Sequence, residues 1–134
     1  MYKEKIENLA KQARKLDPYF ELVNSKKLFW ELKDELNEAI EELNNDNNSI
    51  ELASEMWDIF WVFLLLTNKL EEEWKIDIEK VYEKIYKKMS SRKSFLEEDR
   101  KVTANEAKEI WNKAKRLEWY SEDRMWNEQR VKCD

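Results

Sequence analysis

The sequence contains no glycine, no histidine, one proline and one cysteine in 134 residues. Each gap closes a class of chemistry. Without glycine there is no phosphate-cradling P-loop and no dinucleotide-binding turn, and the tight hairpins that need positive φ are hard to build. Without histidine, imidazole-ligated zinc sites, Ser-His-Asp triads and haem ligation through imidazole are excluded. The ferritin-like di-iron site goes with them, because it takes Glu-x-x-His from two of its helices. The single cysteine, Cys133, cannot form an intrachain disulfide or a thiolate cluster, and one residue from the end it reads as an inert thiol. Carboxylates, lysine, arginine, aromatic rings and a hard metal ion remain to carry chemistry.

What is present is charge and apolar surface in near-equal measure, 41% and 42% of residues. With a single proline, that balance suits an ordered helical chain, and the length suits one domain over residues 1–134. The formal net charge of -5 weighs against a nucleic-acid partner. The start, Met1-Tyr2-Lys3-Glu4-Lys5, lacks the apolar stretch of a signal peptide. The longest strongly apolar run, Ile59 to Thr67, is nine residues and too short to span a bilayer. A cytoplasmic address is expected, with no membrane partner.

Apolar spacing predicts helices throughout. Ile6, Leu9, Ala10 and Ala13 mark a first helix ending near Leu16. Asp17 caps and Pro18 starts a short turn to about Val23, and Ser25 stands where a cap for the next helix belongs. That helix runs from about Lys26 to Asn44 with Leu28, Leu32, Leu36, Ala39 and Leu43 on one side. The polar stretch Asn44 to Asn48 stops it. Asn48 or Ser49, with Glu51, caps a helix from about Ile50 to Lys69 that is apolar nearly all round between Met56 and Leu66. A chain this short has few helices to enclose such a segment, so a partner subunit is expected to do so. A further helix starts after Asp77, and Ser90 to about Lys101 reads as a loop anchored by Phe95 and Leu96. Thr103 to Glu106 is a capping-box pattern opening a helix to about Glu118, with one more short helix after Ser121. The expected fold is all-α: an antiparallel bundle of about five helices, completed by oligomerisation. Of the tryptophans, Trp57, Trp61 and Trp74 are expected to pack within the bundle or between subunits, and Trp111 to anchor the last helix.

Two of these helices carry acids that converge. Glu31, Glu35, Glu38 and Glu42 are spaced four, three and four, so they share one face; Glu51, Glu55 and Asp58 are spaced four and three. The connection between the helices is short, so they are expected to pack antiparallel, middle against middle. Glu35 and Glu38 then meet Glu55 and Asp58 in a four-carboxylate cup. Unpaired, four carboxylates raise each other's pKa; a hard divalent ion, magnesium or manganese, resolves the repulsion with all-oxygen ligation. Glutamate this frequent also yields such pairs by chance on solvated faces. Asp58 argues otherwise, because it opens the most apolar segment, where a buried acid needs a partner or a metal.

Asp34-Glu35-Leu36-Asn37-Glu38, followed at a distance by Glu55-Met56-Trp57-Asp58, resembles the EExxE…ExxD signature of the MazG-like all-alpha nucleoside triphosphate pyrophosphohydrolases. The wider superfamily holds dimeric dUTPases, dCTPases and phosphoribosyl-ATP pyrophosphohydrolases. Asp77 to Val81 resembles the family's entry to its fourth helix, and Lys88 to Arg92 its KxxxR segment. Thr103 to Glu106, Trp111, Lys115 and Glu118 resemble its closing helix. The likeness covers about residues 25–118 and leaves 119–134 as a C-terminal extension. The chain departs from the pattern at Asp34, where the signature has Glu, and at Ile85-Tyr86-Lys87, where the family often has Asn.

The resemblance implies magnesium held by Glu35, Glu38, Glu55 and Asp58, with manganese as an alternative. Glu38, with Glu35 beside it, is expected to orient or deprotonate the attacking water. Asp34 is a candidate to orient a ligand or is a surface acid. Trp30 either packs in the core or an interface, the commoner role for such a residue, or reaches a base edge. Lys88, Arg92 and Lys115 are candidates to hold the phosphates, against the alternative of a solvated basic helix end. The implied reaction converts a nucleoside triphosphate to the monophosphate and pyrophosphate, in a homodimer or homotetramer. Two alternatives stand beside it: phosphoribosyl-ATP or another nucleotide derivative as substrate, and a non-enzymatic helical interaction protein.

Overall fold

The computed structural model describes the backbone of residues 1–45 and 49–133 and the side chains of residues 1–45 and 50–120. Among the described residues all long regular elements are helical: α1 Tyr2–Leu16, α2 Pro18–Leu22, α3 Ser25–Asn44, α4 Ser49–Glu72, α5 Ile78–Arg92 and α6 Ala104–Cys133. One 3-10 turn covers Ser94–Leu96. The chain divides into two compact units, Met1–Ile78 and Glu79–Asp134.

In the first unit, α3 lies along α4, and α1 packs on α4 as well. The expected turn after Pro18 is a short helix, because Asp17 accepts a hydrogen bond from the Tyr19 N–H (2.9 Å) and Pro18 fills the first helical position. Phe20, Val23, Leu28, Leu65 and Leu66 form the core, with Leu32, Trp61 and Leu70 against it. Burying Phe20 and Leu28 fully is worth about 1.5–3 kcal/mol each. Lys69, only 5% exposed, ties α2 to α4. Its Nζ donates to the Phe20 carbonyl (2.8 Å) and to Glu72 (3.1 Å), and lies 4.5 Å from the Phe20 ring centroid.

The cap of α3 is Asn24, not Ser25: Asn24 Oδ1 accepts from the Lys27 N–H (2.8 Å). Ser25 is committed to the far end of α4. Its N–H (3.0 Å) and hydroxyl (2.7 Å) both donate to the Glu73 carboxylate. The Ser25 hydroxyl, Lys75 and then the Ser25 N–H hold Glu73 down to about 2. Asn48 and the Ser49 side chain, where the cap of α4 is expected, lie outside the described residues.

The lack of glycine shows at the end of α4. Trp74 N–H bonds to the Glu71 carbonyl (3.0 Å) and Lys75 N–H to the Leu70 carbonyl (2.9 Å), a Schellman turn whose pivotal residue must be left-handed. That residue is Trp74, at φ 61° and 92% exposed, rather than packed as the sequence suggested. A tryptophan pays a steric cost there that glycine does not. Trp74→Gly is therefore expected to raise stability by about 1 kcal/mol, read as a shift in the urea midpoint. A destabilised variant would show that the indole makes a contact of its own.

In the second unit, α5 ends at Arg92, so the expected loop from Ser90 is shorter, and its anchor Leu96 is exposed. A second Schellman turn follows the 3-10 turn, with Asp99 at φ 50°. Thr103 caps α6 as expected, its hydroxyl accepting from the Glu106 N–H (3.2 Å). The helix then continues through Ser121 as one piece to Cys133, because neither Gly nor Pro occurs there to stop it. Among the described residues no helix is long and apolar enough to cross a membrane.

Candidate metal centre

The antiparallel register of α3 and α4 places the carboxylates. Ser25 meets Glu73 at one end of the pair, and Glu42 bonds to Glu51 at the other. Between them Glu35 meets Asp58, and Glu38 meets Glu55. Glu35, Glu55 and Asp58 each offer one oxygen, and the three oxygens lie within 4.8 Å of one another. All three residues are half-buried. Glu38 is exposed and reaches both Glu35 and Glu55 by side-chain hydrogen bonds.

This packing crowds negative charge. Burial first, then the charges of Glu38, Asp58 and Glu55, push Glu35 up to about 7. Glu55 is raised by burial and then by Glu38 and Asp58. Glu42 is raised chiefly by its hydrogen bond with Glu51. Glu35 Oε2 and Glu55 Oε2 are buried and have no hydrogen-bond partner among the described residues. An orphaned buried oxygen is costly. Here two such oxygens sit in an all-carboxylate set, which is the donor chemistry of a hard divalent ion such as magnesium or manganese. The residues fit the metal that the sequence implied.

Sequence spacing placed Glu31 on the same acidic face. The structure diverts it: the Tyr19 hydroxyl donates to Glu31, and Lys27 Nζ lies 3.7 Å away. Burial and then the bond to Glu31 push Tyr19 up to about 12. The spacing of Lys27 to Glu31, four residues along a helix, was the available signal. Asp34 is exposed, as is Trp30, whose ring lies 4.9 Å from Lys33 Nζ.

The basic candidates belong to the second unit. Arg92 makes a two-pronged ion pair with Glu118 (Nη2 2.7 Å, Nε 3.2 Å) and lies 5.0 Å from the centroid of half-buried Trp111. Arg92 first, and Lys88 and Lys115 more weakly, hold Glu118 below the usual carboxylate range. Glu118 had no assigned role in the sequence reading; only its place in the closing-helix pattern marked it. Lys115 lines an open cavity of about 610 Å³ with Asn112, Arg116, Trp119 and Tyr120.

A family model for the MazG nucleotide pyrophosphohydrolase domain matches residues 24–96. The fold is similar to the crystal structure of a MazG-related protein from Thermotoga maritima, with a TM-score of 0.79 and 26% identity over 84% of this chain and 98% of that one. No curated protein matches the chain at a significant level.

Proposed function

The chain belongs to the MazG nucleotide pyrophosphohydrolase domain family, and from that premise we propose that it hydrolyses nucleoside triphosphates to nucleoside monophosphates and pyrophosphate in a magnesium-dependent reaction. The observation that carries the reading is the three-oxygen cluster of Glu35, Glu55 and Asp58, with its two orphaned oxygens, on the two helices that bear the signature.

Glu35, Glu55 and Asp58 would hold the divalent ion. When bound, that ion neutralises phosphate oxygens and makes water easier to deprotonate. Exposed Glu38 stands beside the cluster as the general base: its carboxylate orients water for attack on the α-phosphorus and takes the proton. Pyrophosphate leaves from the opposite side. Asp34 and Trp30, both exposed on α3, are assigned to ligand orientation and to a base edge. Lys88, Arg92 and Lys115 are assigned to the phosphates; Arg92 would exchange the Glu118 carboxylate for a phosphate of the same two-pronged geometry. A homodimer or homotetramer in the cytoplasm, clearing unwanted nucleotides, completes the reading.

The test is pyrophosphate release from a panel of canonical and modified nucleoside triphosphates, with magnesium and with EDTA. Release that depends on the metal is expected, and the ranking names the substrate. No release from folded protein would shift the reading to phosphoribosyl-ATP or to a non-enzymatic interaction protein.

A further inference from the structure

In the second unit, the cations assigned to phosphates all act on one carboxylate, that of Glu118. Arg92 reaches it directly: Nη2 and Nε donate to its two oxygens (2.7 Å and 3.4 Å), so the carboxylate spans one edge of the guanidinium. Lys88 stands one turn before Arg92 on α5, and Lys115 one turn before Glu118 on α6. Arg92 first, then Lys88 and Lys115, hold the Glu118 carboxyl below the usual carboxylate range. Anionic and two-pronged, this carboxylate presents to Arg92 what a phosphate presents.

We infer that Glu118 is a built-in competitor of the phosphate ligand: it holds the Arg92 fork when no ligand is bound, a phosphate must displace it, and its presence weakens phosphate binding. Three observations favour a competitor over a simple brace between α5 and α6. Trp111 supports Arg92 independently of Glu118. The guanidinium lies 5.0 Å from the ring centroid, so it keeps its place when the carboxylate leaves. The pair is open to a ligand, its side chains being 16% and 29% exposed. Charge is left over as well. Residues 79–120 carry twelve basic and eight acidic side chains, and at Glu118 one carboxylate answers three cations. A brace needs one cation. Three are matched better by a ligand with several negative charges.

The competition is intramolecular. Glu118 stays tethered beside Arg92 at an effective concentration on the order of millimolar. A single phosphate makes one comparable contact and displaces it poorly. A polyphosphate adds contacts to Lys88 and Lys115 that one carboxylate cannot match. This rests on the reading of Lys88, Arg92 and Lys115 as phosphate ligands, and not on hydrolysis.

The experiment is calorimetric titration of the full chain with sodium tripolyphosphate in EDTA, so that no magnesium brings the carboxylates of α3 and α4 into play. Glu118→Gln keeps the shape and removes the charge. It should bind tripolyphosphate about tenfold or more tighter than the parent. Glu118→Asp keeps the charge on a shorter stem and should fall between the two, which reads the proposal even where the amide disturbs folding. Glu109→Gln removes the same charge from the opposite, exposed face of α6 and should bind within about twofold of the parent. Where a nucleotide is turned over, the gain should appear as a lower KM. Without ligand, Glu118→Gln should melt below the parent, because its cations lose their anion, and tripolyphosphate should close the gap. Equal or weaker binding by Glu118→Gln overturns the proposal and makes Glu118 a positioning residue for Arg92. A gain as large in Glu109→Gln, or a melting gap that tripolyphosphate leaves open, overturns it too. No binding by parent or variants overturns it together with the phosphate role of these cations, while metal-dependent pyrophosphate release would still uphold the hydrolase reading. Tighter binding by Glu118→Gln without hydrolysis would sink the hydrolase reading and leave this one standing.

Discussion

Glu35→Gln is expected to lower turnover about a hundred- to a thousandfold, the loss of one charged ligand to the metal, while making the metal-free protein more stable. The two effects have one cause. In the native state Glu35 stands half-buried against Glu38, Asp58 and Glu55, with one oxygen satisfied by nothing among the described residues. An amide of the same shape removes one charge from that crowd, so repulsion falls. The same amide is a poor ligand for a hard cation. Asp58→Asn should behave alike. Glu38→Gln separates roles: if Glu38 is the base, turnover falls while magnesium affinity by calorimetry changes little; if it is a ligand, both fall. Pyrophosphate release and thermal melts in EDTA read the outcome. Unchanged turnover in Glu35→Gln would remove Glu35 from the site. Lower metal-free stability would mean that its carboxylate is favourably paired.

The sequence made the carboxylate pair legible because helical spacing and a short connection together fix an antiparallel register. Glu35, Glu55 and Asp58 meet for that reason. The same rules could not see Tyr19 drawing Glu31 away, nor Glu73 taking Ser25 from its expected cap role. Both contacts join residues far apart in sequence, and local propensity is blind to them. The end of α6 differs from the expectation for another reason. The spacing predicts a helix to about Glu118 and a separate short helix after Ser121, yet without Gly or Pro nothing forces a break between them. Trp74 was expected to pack because it is large and apolar. Its position is dictated instead by the left-handed turn at the end of α4, which a chain with no glycine must fill with some other residue. The apolar all-round character of the middle of α4 points to enclosure, yet within the single chain Trp57 and Phe60 are exposed, because periodicity shows that a helix is apolar but not what lies against it.

In EDTA the protein is expected to gain stability on acidification from pH 8 to about 5 and to lose it below about 4.5, opposite to an ordinary acidic domain over the first interval. Glu35 binds its proton more tightly in the native state, about 7 against 4.5. Its ionisation penalty is fully present above 7 and is relieved as pH falls toward 4.5. Glu55 and Glu42 are raised as well and add in the same direction. Glu73 works the other way. Held near 2 by Ser25 and Lys75, it contributes stability that is complete above 4.5 and lost as pH falls toward 2. Glu71, lowered by the Ile78 N–H and then by Arg14, joins it. Magnesium should reverse the upper limb. A bound cation requires the carboxylates ionised, so acidification from 8 to 5 then expels it and lowers stability. At a hundredfold excess over its dissociation constant the ion adds about 2.7 kcal/mol at the upper pH. Thermal midpoints against pH, with EDTA and with magnesium, should therefore cross. Parallel curves, both falling from pH 8 to 5, would mean that the carboxylates of α3 and α4 neither crowd one another nor hold a cation.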